Sequence, residues 1–448
     1  MNETQRTLAT MTTSAAAQHT KTAQHGEARP LSVSARLGRL QFHNSGKFRV
    51  LQLADIQSGP KIDKDTITLI SACLDAAKPD LVVFSGNQIA GYDTAYSATF
   101  RKRRWSVAWN RMKRQNADRF AADLEHTREL VRFEIAQFVQ PLIDRGIPWA
   151  ATYGNHDFQC GLDNAEMDAI YREFPGCLNP ESTAASPEHP RTQPASGLAD
   201  QQIYPCEPGT FALPVADVER RHAVLGLVLL DSGDYAHLGG YGEPSEQGLA
   251  FLRSVPELLG TRAMVFQHFP LPQYYDLLEQ VPATKDHAVE GYRAFSGRHY
   301  VIDEGRTLPG SYLGEGVSCP DHDCGQFELM RSDGRYFALS AGHDHRNGFV
   351  GTLDGILLAA SPTCGFGSYG PAPAQRAARL FEFDIRHPHA PRTQLLEFEE
   401  LAGKPSSRKA YTYALNSTAA SPGETMDLLR KPGLISRIVK RLRRPREE

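Results

Sequence analysis

A chain of 448 residues with 41% hydrophobic and 23% charged residues carries enough apolar surface for a full core, which excludes a globally disordered protein. The formal charge of -3 hides an asymmetry, because residues 431–448 hold seven Lys or Arg against two Glu and the remainder is correspondingly acidic. Seven scattered cysteines exclude the dense disulfide framework of a small secreted domain, and no apolar run reaches membrane-spanning length.

Residues 1–30 are rich in Thr, Ala, Gln and His and lack the apolar core of a signal peptide, which predicts a disordered tail and a cytoplasmic location. Leu40–Phe42 and Phe48–Leu53 flank Asn44-Ser45-Gly46, a hairpin signal leading into the strand that delivers Asp55. From Asp63 to Ala77 the residues Ile67, Ile70, Cys73 and Leu74 recur at helical spacing, and Pro79 stops the helix before the strand Leu81–Phe84. A second helix carries Leu124, Val131, Ile135, Phe138, Val139 and Leu142, followed by the strand Ile147–Tyr153. Residues 178–202, crowded with Pro, Ser, Thr and Ala, read as a long surface loop. Short β-rich runs follow at His222–Leu230, Ala263–Phe266, Tyr336–Ser340, Ile356–Ala360 and Leu380–Ile385. Cys319 and Cys324 are spaced for a disulfide or half a zinc site, but no second pair lies nearby, so they read as structural thiols. Strands alternating with helices early and following one another later predict an α/β fold. The expected form is a four-layer α-β-β-α sandwich of two mixed sheets with flanking helices, in one domain over residues 31–402. Residues 403–448 read as a linker and a basic amphipathic tail.

Five motifs place metal-ligand side chains just beyond these strands: Asp55-Ile56-Gln57, Gly86-Asn87-Gln88, Gly154-Asn155-His156-Asp157, His268 and Gly342-His343-Asp344-His345. Taken singly they have plainer readings, a turn for Gly-Asn-His-Asp and a satisfied partly buried histidine for His268. Together they supply mixed oxygen and nitrogen donors, which suit Mn, Fe or Zn, while the lack of ligating thiolates argues against a structural zinc site. Two divalent ions about 3.5–4 Å apart supply what phosphate ester hydrolysis needs near neutral pH, a better nucleophile than bulk water and neutralised phosphoryl oxygens.

The order and residue types resemble the calcineurin-like metallophosphoesterases, with the pattern DxH, GD, GNH[D/E], H and GHxH, over residues 48–385. The resemblance implies that Asp55, Gln57, Asn87 and His345 surround one metal and Asn87, Asn155, His268 and His343 a second. It also implies that His156 contacts the phosphate and protonates the leaving oxygen, with Asp157 orienting its imidazole. Gln57 stands where the pattern has His and Asn87 where it has the bridging Asp. An amide has one good oxygen donor and no charge, so the second ion is expected to bind less tightly. Asp-x-Gln is similar to the manganese-dependent ADP-ribose and CDP-alcohol diphosphatases, which implies Mn. Leu229-Leu230-Asp231-Ser232-Gly233 and Cys364–Gly370 resemble the purple-acid-phosphatase-like branch, but Tyr92 is not at that branch's tyrosine spacing, so no purple Fe(III) centre is expected. The expectation is hydrolysis of phosphate mono- or diesters, in a phosphorylated small molecule or phosphoprotein, by hydroxide generated on one or two divalent ions. The rival is a catalytically impaired protein of this fold that binds a phosphorylated ligand without efficient turnover.

Between Arg101 and Arg114 lie seven basic residues, Trp105 and Trp109, and no acid. The stretch follows the strand that carries Asn87, so Arg101 and Arg104 are candidate substrate contacts; a solvated helix face is the plainer reading, and nucleic acid is not expected as a partner. At the C-terminus Leu434, Ile435, Ile438, Val439 and Leu442 form an apolar stripe among arginines and lysines, a pattern for contact with anionic membrane at its inner face or for docking on the protein's own domain.

Overall fold

The computed structural model describes residues 29–106, 109, 117–181, 190–191 and 196–406. The expectations for residues 1–28 and 407–448, including the C-terminal stripe, lie outside the described residues. A short helix α1 (Val33–Leu37) precedes β1 (Lys47–Leu53), α2 (Lys64–Ala77), β2 (Leu81–Ser85), α3 (Ala117–Ile143) and β3 (Trp149–Thr152), which form a β-α-β-α-β series. Asp63 caps α2 by accepting the Asp65 N–H at 2.9 Å, and Lys78, at φ 47°, turns the chain out of the helix before Pro79.

Further along come α4 (Asn164–Tyr171), β4 (Tyr204–Glu207), β5 (Thr210–Ala216), β6 (Ala223–Leu230), α5 (Glu246–Leu259) and β7 (Ala263–Gln267). The chain continues through β8 (Leu278–Val281), β9 (Val289–Glu290), β10 (His299–Ile302), α6 (Gln326–Asp333), β11 (Tyr336–Ala341), β12 (Val350–Leu353) and β13 (Ile356–Ala360). It closes with β14 (Ala377–Asp384), β15 (Arg392–Glu397) and α7 (Phe398–Ala402). Two large mixed sheets result, a five-stranded one in the order β15-β14-β1-β2-β3 and a seven-stranded one in the order β12-β13-β11-β7-β6-β5-β4, with a small sheet β8-β10-β9 beside them. In the first, β1, β2 and β3 run parallel; in the second, β6, β7, β11 and β13 do.

Period-two alternation explains the layering. Phe48 and Val50 of β1, Leu81 and Val83 of β2, and Leu225, Leu227 and Leu229 of β6 meet in one core between the sheets. Their alternate neighbours Leu51, Leu53, Val82 and Phe84 pack instead under α2 and α3, against Leu69, Leu74, Val131 and Phe138. Val228 and Leu230, with Val265 of β7, pack under α5, against Phe251, Leu252 and Val255. The order helix, sheet, sheet, helix follows, and this is the predicted α-β-β-α sandwich.

Gln52 of β1 crosses between the sheets near their upper ends. Its amide donates to Ser85 Oγ at 2.8 Å and accepts from Ser340 Oγ and Ser361 Oγ at 2.5 and 2.9 Å. Two expectations need correction. Leu40–Phe42 does not pair with β1 in a hairpin, because Gln41 bridges Ala216 in the other sheet, although the tight turn survives with His43 N–H on the Lys47 carbonyl. Nor is all of 178–202 a surface loop, since Leu178 and Leu198 are buried in the inter-sheet core. All seven cysteines are free thiols, and burial pushes the Cys319 thiol up to about 12.

Candidate metal centre

The motif residues leave the strand ends through strained turns. Asp55, Gln57, Asn87 and His343 have φ of 54°, 43°, 53° and 71°, a left-handed region that costs a non-glycine residue on the order of 1–3 kcal/mol. Such conformations persist where surrounding contacts dictate them, and here they cluster at one crevice. Gly154 is needed for close approach, since a Cβ there would lie 2.4 Å from Asn87 Oδ1 and 2.7 Å from His268 Nε2.

Asp55 is fully buried, and its Oδ2 accepts the His343 N–H at 2.9 Å, joining the end of β1 to the end of β11. Its Oδ1 has no hydrogen bond and lies 3.4 Å from His345 Nε2 and 4.0 Å from His268 Nε2. Burial acts to raise this carboxyl, but His345 and His268 beside it prevail and hold it below the ordinary carboxylate value. His345 Nδ1 lies 2.6 Å from the Tyr369 carbonyl and His268 Nδ1 lies 3.0 Å from that of Ser85. A carbonyl only accepts, so each Nδ1 carries the proton and, in the neutral ring, each Nε2 turns a lone pair inward. His268 Nε2 also faces Asn155 Oδ1 at 3.1 Å, one acceptor against another. His343 is buried with neither ring nitrogen hydrogen-bonded, and Gln57 Oε1 is likewise buried without a partner. Burial, before all else, lowers the His268 and His343 values.

Asn87 stands differently. Its Oδ1 accepts the His156 backbone N–H at 2.9 Å, and its Nδ2 is turned to Asn155 Oδ1 at 3.3 Å. A backbone N–H can only donate, so this fixes the amide, and at the position of the family's bridging carboxylate the chain presents an NH2 group. Asp157 does not orient His156, as the resemblance implied. Its Oδ2 accepts the Asn87 and Gly154 N–H groups at 2.8 and 2.7 Å and its Oδ1 that of Ile89 at 2.9 Å, so the carboxylate is saturated by backbone and fastens two motif turns together. Gln159 takes the orienting place, with Oε1 2.7 Å from His156 Nδ1, which leaves Nε2 open. Burial pushes His156 down to about 4, so the imidazole is neutral near pH 7.

An aromatic wall that motif spacing did not reveal surrounds these groups. Tyr92 accepts from Gln57 Nε2 at 3.0 Å, Tyr235 accepts from Asn155 Nδ2 at 2.8 Å, Tyr241 meets the His343 ring edge-on at 4.3 Å, and Tyr369 stacks on His345 at 4.1 Å. Two cavities flank the centre. One of about 510 Å³ runs past Tyr235, Trp105, Asp231 and Asp234, and one of about 580 Å³ runs past Gln57, Tyr92, Lys61 and Lys64. The structure holds Arg104 in the first of these, 2.7 Å from Asp234 and 3.1 Å from Asn164, and Arg101 lies with its guanidinium 4.6 Å from the Trp109 ring centre. Arg103 lies with its guanidinium 3.6 Å from the ring centre of Tyr235.

The donors suit a divalent cation. Buried acceptors facing one another without donors are relieved by a positive ion, and 3.4 Å between Asp55 Oδ1 and His345 Nε2 suits two bonds of about 2.1 Å to one ion. Among the described residues no three His, Cys, Asp or Glu side chains are gathered into a ligating group by themselves.

A family model described as calcineurin-like phosphoesterase matches residues 48–279. The chain is 25% identical over 389 residues to an Arabidopsis thaliana protein named probable inactive purple acid phosphatase 29, covering 80% of this chain and 82% of that one. It is 26% identical over 348 residues to phosphatase DCR2 of Saccharomyces cerevisiae, covering 72% of this chain and 47% of the yeast protein. A crystal structure of a dimetal phosphatase from Danio rerio is similar at 11% identity and a TM-score of 0.38, covering 78% of this chain and 99% of that one. The family match takes in more than half of the 448 residues, from β1 past β7, with the motif residues from Asp55 to His268 inside it, and the chain belongs to the calcineurin-like phosphoesterases.

Proposed function

We propose that the protein is a metal-dependent phosphoesterase in which Asp55, Gln57 and His345 hold the stronger cation position and Asn155, His268 and His343 a weaker one. The observation that carries this reading is the group of buried, unpartnered polar atoms at the carboxyl ends of parallel strands: Asp55 Oδ1, Gln57 Oε1 and both nitrogens of His343, one of which is an acceptor in a neutral ring. A divalent ion in such a set supplies Lewis acidity toward a phosphoryl oxygen and lowers the pKa of water, and manganese suits these hard and borderline donors. Asn87 weakens the second position because it offers N–H where a shared carboxylate would offer lone pairs. His156, neutral and with Nε2 open, first takes up a proton when a phosphoryl dianion lies beside it, and then donates it to the leaving oxygen. The substrates are phosphate mono- or diesters, with the flanking cavities receiving the organic part.

The Asn87 geometry favours a second reading, a protein that holds a phosphorylated ligand without efficient turnover. That an Arabidopsis relative is named probable inactive fits this reading too. Metal analysis of the purified protein, followed by hydrolysis of an aryl phosphate and of ADP-ribose with added Mn, separates the two. The phosphoesterase reading expects at least one bound ion and turnover, with Asn87→Asp raising metal content and rate. Less than one ion and no turnover favours the binding reading, and an Asn87→Asp variant that raises neither removes Asn87 from the bridging position.

A further inference from the structure

Two of the proposed ligands, Gln57 and Asn155, are amides, and an amide has two ends of nearly the same shape and opposite function. Turned one way it offers a cation an oxygen; turned the other it offers two N–H groups and repels it. For Asn155 the wrong orientation has a ready partner. His268 donates through Nδ1 to the Ser85 carbonyl, so its Nε2, 3.1 Å from the Asn155 amide, would accept an inward-turned NH2. That arrangement would occupy the lone pair of one proposed ligand with the hydrogen of another.

We propose that Tyr92 and Tyr235 are positioning residues that hold these amides with their oxygens toward the cation. Each phenol oxygen accepts the N–H of one amide, Gln57 Nε2 at 3.0 Å and Asn155 Nδ2 at 2.8 Å. With the NH2 group taken on the outer side, Gln57 Oε1 is left buried without a partner, and Asn155 Oδ1 faces His268 Nε2 and accepts from Asn87 Nδ2 at 3.3 Å. The two phenols come from distant segments, the turn after β2 and the loop after β6, and both stand beside His156, with ring centres 4.8 and 6.4 Å from its own. Packing alone does not require the Tyr92 hydroxyl, since Tyr92 is 46% exposed. The hydroxyls matter because a buried NH2 without an acceptor is costly and, lacking one outside, turns inward.

This inference rests on the cation reading above, and the experiment tells the two failures apart. Manganese binding is measured by titration calorimetry on full-length, metal-stripped protein. Tyr235→Phe and Tyr92→Phe are each expected to weaken binding about tenfold, the effect of one lost hydrogen bond to a buried group, with the thermal midpoint of the metal-free form unchanged. A carboxylate has two like oxygens and cannot be turned the wrong way. In an Asn155→Asp background Tyr235→Phe should therefore change affinity by less than about threefold, and likewise Tyr92→Phe in a Gln57→Glu background. Unweakened binding in both phenylalanine variants, or an equal loss in the amide and carboxylate backgrounds, overturns the positioning role. Absence of manganese binding by the unaltered protein overturns the cation reading and this inference with it.

Discussion

At the scale of single residues, the centre depends on contacts too close for any added atom. A Cβ at position 154 would collide with the Asn87 carboxamide and the His268 ring together, and both are held from behind, Asn87 by the His156 N–H and His268 by the Ser85 carbonyl. Gly154→Ala should therefore lower stability by about 1–3 kcal/mol and reduce metal content, read by denaturant unfolding and metal analysis of the same preparation. Retention of both would mean that the crevice yields more readily than its packing implies. The ligand types were legible in the sequence because the motif residues sit one step past apolar runs, where a strand must end. Which way Asn87 faces was not legible. It depends on a backbone N–H from His156, nearly seventy positions away, and no side-chain pattern encodes that. The same holds for Asp157, whose three backbone partners come from two different turns.

At the scale of elements, Asp168 of α4 joins three separate segments. It accepts from the Tyr153 hydroxyl just past β3, from Asn179 Nδ2 at 2.8 Å and from the Gly209 N–H at 3.3 Å in the β4–β5 turn. Burial pushes its carboxyl up to about 6 against these donors. The native chain then holds this proton between the ordinary value of 3.8 and about 6, whereas the unfolded chain has released it. The contribution of Asp168 to stability is therefore fully present below pH 3.8 and is lost as pH rises toward 6. Asp168→Asn should flatten this part of the stability profile, measured as denaturant midpoint against pH, even if its absolute stability falls. An unchanged slope would assign the pH dependence to other groups. The early β-α-β series was readable because α2 and α3 carry clean apolar stripes and end at Pro79 and Gly146. β4 and β5 escaped notice because Pro205 and Pro214 lie within them, and a proline inside a run argues against a strand. The helix α5 holds Gly248 and Pro256, which hid its stripe of Phe251, Leu252 and Val255.

At the scale of the whole molecule, the proposed ligands are divided between the layers. Asp55, Gln57 and Asn155 follow strands of the five-stranded sheet, and His268, His343 and His345 follow strands of the seven-stranded one. Binding to the folded form alone stabilises it by an amount that grows with the logarithm of ion concentration, about 2.7 kcal/mol at a hundred times the dissociation constant. Chelation should thus lower the thermal midpoint, and readdition of Mn should restore it. A midpoint indifferent to both would mean that no ion joins the two halves.

The Gln52 contacts give this division a further meaning. One glutamine reaching three serines sets how far the two sheets can slide past each other immediately beneath the crevice. An ion above it would act as a clasp closing over a hinge pin. Affinity for the ion then becomes a gauge of sheet alignment, so a substitution deep in the inter-sheet core, far from every donor atom, would reveal itself first as a change in how tightly the metal is kept.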